Sequence, residues 1–345
     1  MRFPMILVLL AALGACGKPC EIGDRVCAAK AIAANPAKKA AYWKAALDKP
    51  VEERIGPASQ DLLDLLLLDN RGNRFPNIPR KPSLPADFMA DARAAFDELP
   101  PAVKRLAAPR LAGIYFVDDL GGTGFTDQAY DAAGNPTVAF VVLDPSVLTA
   151  QSANRWATWK ESTPFKADPA MRLAARIEDD AQDNRKNAIQ YILLHELGHV
   201  LSVGARFHPN WNLAPNQVKS TAEFPFFQLS WSIAPEGRYA SRFDDAFPQR
   251  KDVVYYLGAK LPASAMPETY RRLEETNFPT LYAATHPADD FAEAFASYVH
   301  TVVMKRPFEI RLSSDGKVVK TFGACWSEER CAGKRRILEA LLASG

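Results

Sequence analysis

Apolar residues recur at helical spacing in the first third of this chain and again in two later segments, with strand-like runs between them. Over 28–109 the text is rich in Ala and Leu and broken by Pro, and its spacing predicts helices over 40–47, 60–69, 86–99 and 101–106. Two β-rich runs follow at 111–117 and 137–143. A loop is expected between them, because Gly121, Gly122, Gly124 and the turn signal Gly134-Asn135-Pro136 fall there. The stretch 155–166 reads as a further strand, confined to a sheet edge by Pro164. Residues 188–203, AIQYILLHELGHVLSV, are apolar on almost every side of a helical projection, which marks a helix buried all round. The stretch 206–260, with Phe224-Pro225-Phe226-Phe227 and Trp231, reads as an ordered surface insertion, the wall of a cleft being the alternative. A last helix is expected from Pro287, which suits a first turn, with Asp289 and Asp290 at its positive end. Its stripe of Phe291, Phe295, Tyr298 and Val302 runs until Pro307 stops it. The class this predicts is α+β, with a helical N-terminal region ahead of a small sheet and two buried helices.

Composition and charge narrow the partners. A chain of 345 residues, 48% hydrophobic and 24% charged, buries a real core. Its net charge of +2, without a basic tract interleaved with aromatics, argues against nucleic acid as a partner. Arg2, an apolar run over 5–13 too short to span a bilayer, and Leu13-Gly14-Ala15-Cys16 form a targeting segment. That ending resembles the lipobox of bacterial lipoproteins, which implies that Cys16 carries the lipid anchor and begins the mature chain. Gly17 beside it implies the outer membrane, facing the periplasm. The remaining cysteines fall in two close pairs, and chain distance alone favours Cys20 with Cys27 and Cys325 with Cys331 among the three pairings possible. Disulfides imply an oxidising compartment. A four-cysteine zinc site competes with them, though neither pair has zinc-knuckle spacing.

The chemistry concentrates in His195-Glu196-Leu197-Gly198-His199, an H-E-x-x-H pattern inside the buried helix. Residues four apart share one helix face, so both imidazoles can reach one ion, and zinc suits neutral imidazole nitrogen. Glu196 lies beside the pair, where a carboxylate can take the proton of an attacking water. Three ionisable side chains in so apolar a helix are costly without a partner, which argues against a set of core histidines. A catalytic zinc takes a third protein ligand, and 282–295, YAATHPADDFAEAF, is the best source. Asp289 and Glu293 lie four apart on its helix, so one can bind metal while the other orients a ligating His. Alone, these carboxylates would read as helix N-terminal charge and a solvated Glu. His208, His286 and His300 read as surface or packing residues.

HELGH followed by Tyr282, an acidic residue seven further on and then F-A-E-A-F resembles the gluzincin metallopeptidases, particularly the anthrax lethal factor-like and Mlc titration factor-like branches. The resemblance covers roughly 111–303. It implies a zincin-like catalytic domain, placed over 110–345, while the lipobox implies a signal peptide over 1–15 and the apolar spacing a helical region over 16–109. The gluzincin resemblance also implies Zn2+ as cofactor, a peptide or protein substrate, Glu196 as general base, Tyr282 as donor to the oxyanion and Asp289 as third ligand. The family has Glu where Asp289 stands. Because Asp is one methylene shorter, either the second helix sits closer to the metal or Glu293 takes the coordination. A non-catalytic zinc-binding lipoprotein scaffold and a hydrolase of cell-wall peptide crosslinks are the other functions weighed.

Overall fold

Asp24 caps the first helix, α1 (Arg25–Ala34), by accepting from the Cys27 amide, and the Cys20–Cys27 disulfide ties its start, with Cα atoms 5.6 Å apart. The computed structural model describes residues 20–345, so the lipobox and Cys16 lie outside the described residues. The helix expected over 40–47 divides into a 3₁₀ turn, Ala40–Trp43, and a single α turn, α2 (Lys44–Leu47). A short strand, β1 (Ile55–Pro57), precedes α3 (Gln60–Asn73), α4 (Ala86–Asp97) and α5 (Pro101–Ala107), which match the remaining helical expectations. Ser59 caps α3, and Pro101 occupies the first turn of α5, where its missing N–H costs nothing.

Three strands follow, β2 (Leu111–Phe116), β3 (Gly124–Tyr130) and β4 (Pro136–Leu143). The sheet order is β1-β2-β4-β3, parallel except for β3, which runs antiparallel to β4 along the edge. β3 corrects the expectation of an uninterrupted loop. Its polar residues hid it: Asp127 is paired with Lys38 at 2.7 Å, and the buried Gln128 donates to Tyr130 and Asn210. Gly124 opens the strand where a Cβ would lie 2.7 Å from the Val142 carbonyl oxygen.

After the single turn α6 (Pro145–Leu148), the segment expected as an edge strand is instead a helix, α7 (Ala153–Ser162). Its buried residues, Trp156, Ala157, Lys160 and Glu161, repeat at helical rather than alternating spacing, and this packing overrides the β-propensity of its aromatics. β5 (Met171–Arg176) then leads into α8 (Arg185–Ser202), capped by Asn184. This helix is central, packing against α4, α7 and β3, with Leu193, Leu194, Leu197 and Val200 almost fully buried. Burial of each such Leu contributes about 2–3 kcal/mol.

The segment 206–260 is not a surface insertion. It holds α9 (Pro225–Ser230) and the hairpin β6 (Trp231–Ile233) and β7 (Tyr239–Ser241), and its Phe226, Phe227, Trp231 and Phe247 lie in the same core as α8. α10 (Met266–Glu274) and a 3₁₀ turn at Tyr282–Ala284 precede α11 (Pro287–Tyr298), which continues as a π-turn over Val299–Val303. β8 (Glu309–Ser314) pairs with β5 and with β9 (Lys317–Gly323). The Cys325–Cys331 disulfide, with Cα atoms 5.9 Å apart, precedes α12 (Ala332–Ala343). Both close pairs of cysteines are therefore disulfides, and the four-cysteine zinc site does not form. Among the described residues no helix is long and apolar enough to cross a membrane. The whole is a mixed α/β fold with small sheets.

The contact that places the site is the crossing of α8 and α11. Gly198 faces Ala292, and a Cβ on Gly198 would lie 2.7 Å from the Ala292 Cα. Any side chain there would hold the helices apart.

Candidate metal centre

His195 and His199 stand one turn apart on α8, and their Nε2 atoms face each other at 3.2 Å. Two imidazole nitrogens bound tetrahedrally at about 2.0–2.1 Å would be about 3.3 Å apart, so the pair already has the edge length an ion requires. Asp289 Oδ1, from the first turn of α11, lies 3.6 Å from His199 Nε2. One ligand atom from each of His195, His199 and Asp289 lies within 4.8 Å of the others, and the three can hold a metal ion. The close approach of α8 and α11 at Gly198 brings the short Asp289 side chain within reach of His199.

Glu293, one turn further along α11, is not in that group. Its Oε1 lies 2.9 Å from His195 Nδ1, the ring nitrogen opposite the site, though off the line of the ring N–H. It therefore occupies the position of a carboxylate that orients a ligating His. Burial opposes its charge, but the Lys160 ammonium and His195, with a hydrogen bond from Thr280, outweigh this and hold its pKa well below the ordinary range. Burial likewise disfavours a charged His195, yet Glu293 prevails and the ring pKa is raised. At Asp289 burial pushes the pKa up, and His199, with His286 and His195, brings it below the ordinary value.

Glu196 is 5% exposed and is held by a partner the sequence did not mark. Thr126 Oγ1 on β3 lies 2.7 Å from the Glu196 carboxylate Oε2 and 3.1 Å from its backbone carbonyl, so the edge strand and the Glu196 side chain are tied together. Tyr282 stacks on the His195 ring, centroids 5.5 Å apart, and burial together with Asp289 raises its pKa well above the ordinary value. Trp211 meets His199 edge-on at 5.7 Å.

The three remaining histidines do other work. His208 is buried, its Nδ1 donating to the Pro209 carbonyl at 2.8 Å, and burial lowers its pKa to about 3. His286 caps α11, its Nδ1 accepting from the Ala288 amide. His300 packs under Tyr191 and donates to the Ile177 carbonyl at 2.7 Å.

A cavity of about 330 Å³ adjoins His195 and Glu196, walled by Trp156, Ile192, Tyr255, Tyr256 and Tyr282. It shares Gly121, Gly122 and Tyr256 with a neighbouring groove that reaches Trp159 and Asp119. Beyond Thr126 a third depression continues past Trp211 to Asp127 and Tyr130. Glu196 thus lines the first of these depressions and its partner Thr126 the third. Lys160, which lines the cavity, is the other residue the sequence did not mark, because an edge strand was expected there in place of α7. No protein-family model, no curated protein and no solved structure matches this chain.

Proposed function

We propose that the chain is a zinc-dependent hydrolase of zincin type that cleaves peptide bonds. The observation that carries this is the facing pair of imidazole Nε2 atoms with Asp289 Oδ1 on one side, and Glu196 lining the same cavity as His195. Two nitrogens and one oxygen suit zinc and leave a coordination position open. Bound there, zinc would polarise the scissile carbonyl and acidify the attacking water.

The protein's own groups supply the rest. Glu196, oriented by Thr126, takes the proton of the attacking water and returns one to the leaving amine. Tyr282, next to His195, donates a hydrogen bond to the developing oxyanion. Glu293 keeps His195 aimed by its Nδ1. The cavity at Glu196, continuous with a groove through Gly121, Gly122 and Tyr256, favours an extended chain over a small ester or amide. The two disulfides favour an oxidising compartment, in keeping with a lipoprotein of the bacterial envelope anchored through Cys16.

The test is metal content together with cleavage of casein and of a peptide library, using Glu196→Gln as control. One zinc per chain is expected, with cleavage that the substitution lowers by about 10²–10⁴-fold while the metal remains. Cleavage undiminished in Glu196→Gln would refute the assigned mechanism.

A further inference from the structure

Lys160 takes no part in the chemistry proposed above, yet its side chain is only 5% exposed and stands in the wall of the cavity beside His195. A buried ammonium persists only when it is paired. Two carboxylates do this: Glu293 Oε1 at 3.0 Å and Glu161 Oε1 at 3.1 Å. Glu161 is fixed in turn by the hydroxyls of Tyr255 at 2.8 Å and Tyr270 at 3.3 Å. The Glu293 oxygen that accepts from Lys160 is the one that faces His195 Nδ1, and the other accepts from Thr280 at 2.6 Å. Lys160 also lies 4.9 Å from the centroid of Tyr282, the ring stacked on His195. One ammonium on α7 thus contacts two of the groups that border the His195 ring, Glu293 and Tyr282.

We propose that Lys160 is a positioning residue of the metal centre, fixing Glu293 and Tyr282 against His195 and thereby the direction in which His195 Nε2 points. This rests on His195 being a metal ligand. Without the ammonium, Glu161 and Glu293 would confront each other across a dry gap, where like charges repel strongly, and Glu293 would be driven from the position that orients the ring. Glu161 touches Lys160 but has no contact with His195, so it separates loss of the network from loss of the grip on His195.

The experiment measures the Zn2+ dissociation constant by chelator competition and the visible spectrum of the Co2+-loaded protein. Lys160→Met is expected to weaken Zn2+ binding by about 10–100-fold, the range for lost partners of ligating groups, and to change the Co2+ spectrum. Lys160→Arg, which keeps the charge, is expected to restore much of the affinity, and Glu161→Gln to leave it nearly unchanged. Should Lys160→Met fail to fold, Lys160→Met with Glu161→Gln removes one charge of each sign and with it the repulsion, and is expected to bind Zn2+ more weakly than Glu161→Gln alone, because Glu293 and Tyr282 still lose the ammonium. Wild-type affinity and an unaltered Co2+ spectrum in either Lys160→Met protein, with only thermal stability reduced, would make Lys160 structural and overturn the proposal. Wild-type protein that takes up neither metal would overturn the metal centre itself, and this inference with it.

Discussion

Gly198 offers the sharpest perturbation of the site, because replacing it with Ala adds one methyl group and no charge. In an ordinary helix interior that change is stabilising by about 0.8–1.0 kcal/mol. Here the new Cβ would lie 2.7 Å from the Ala292 Cα, where ordinary contact begins at 3.4 Å, so α8 and α11 must separate by several tenths of an ångström. The obstacle is backbone and cannot rotate away. Overpacking of this kind costs about 3 kcal/mol at the upper end of its range, leaving a net loss of about 2 kcal/mol after the helix-propensity gain. Over 345 residues that corresponds to a fall in Tm of about 3 °C. The same movement carries Asp289 away from the histidines by more than the roughly 0.2 Å that ligand distances tolerate. Zn2+ affinity should therefore fall by about tenfold or more, comparable to losing a partner of a ligand. Thermal unfolding and chelator competition measure both effects. Gly333→Ala serves as control, since its Cβ would meet only the end of the flexible Leu229 side chain at 3.2 Å. A Gly198→Ala protein with raised Tm and wild-type affinity would refute the spacer role of Gly198.

Glu196→Gln is expected to lower peptide cleavage by about 10²–10⁴-fold, the usual contribution of a general base, with metal content unchanged by elemental analysis. Chelation of the bound metal is expected to lower stability by about 3 kcal/mol relative to protein in a hundredfold excess of metal over Kd, reversibly on re-addition, read by denaturant unfolding. Stability should also fall in acid through His300, whose Nδ1 is buried without a partner and whose pKa burial lowers from the ordinary 6.5 to about 4. Because the folded-state pKa is the lower one, this stability is complete above pH 6.5 and drains away as pH falls towards 4, by about 3 kcal/mol in all. Urea unfolding across that range should show a steeper loss for wild type than for His300→Gln, and equal slopes would refute the assignment.

The centre of the molecule was legible because residues 188–203 are apolar on almost every side, so His195, Glu196 and His199 stood out against that background. α11 was legible from Pro287 and its spaced aromatics. The choice between Asp289 and Glu293 was not, because one turn of helix separates them and the decision depends on how near α11 comes to α8 at Gly198. β3 escaped notice since Asp127 finds its partner in Lys38, 89 residues earlier. α7 was misjudged as a strand for a similar reason: Lys160 and Glu161 look solvated until Glu293, 133 residues away in sequence from Lys160, supplies the counter-charge that buries them. Pairing at such separations leaves no local periodicity to read.

Diffraction data collected at the zinc absorption edge from crystals of the purified protein would locate any ion directly. One anomalous peak is expected, within bonding distance of His195 Nε2, His199 Nε2 and a carboxylate oxygen of Asp289, with Glu293 on the far side of the His195 ring. A peak bonded to Glu293 in place of Asp289, or ordered histidines with no peak between them after zinc supplementation, would contradict the assignment of the metal centre.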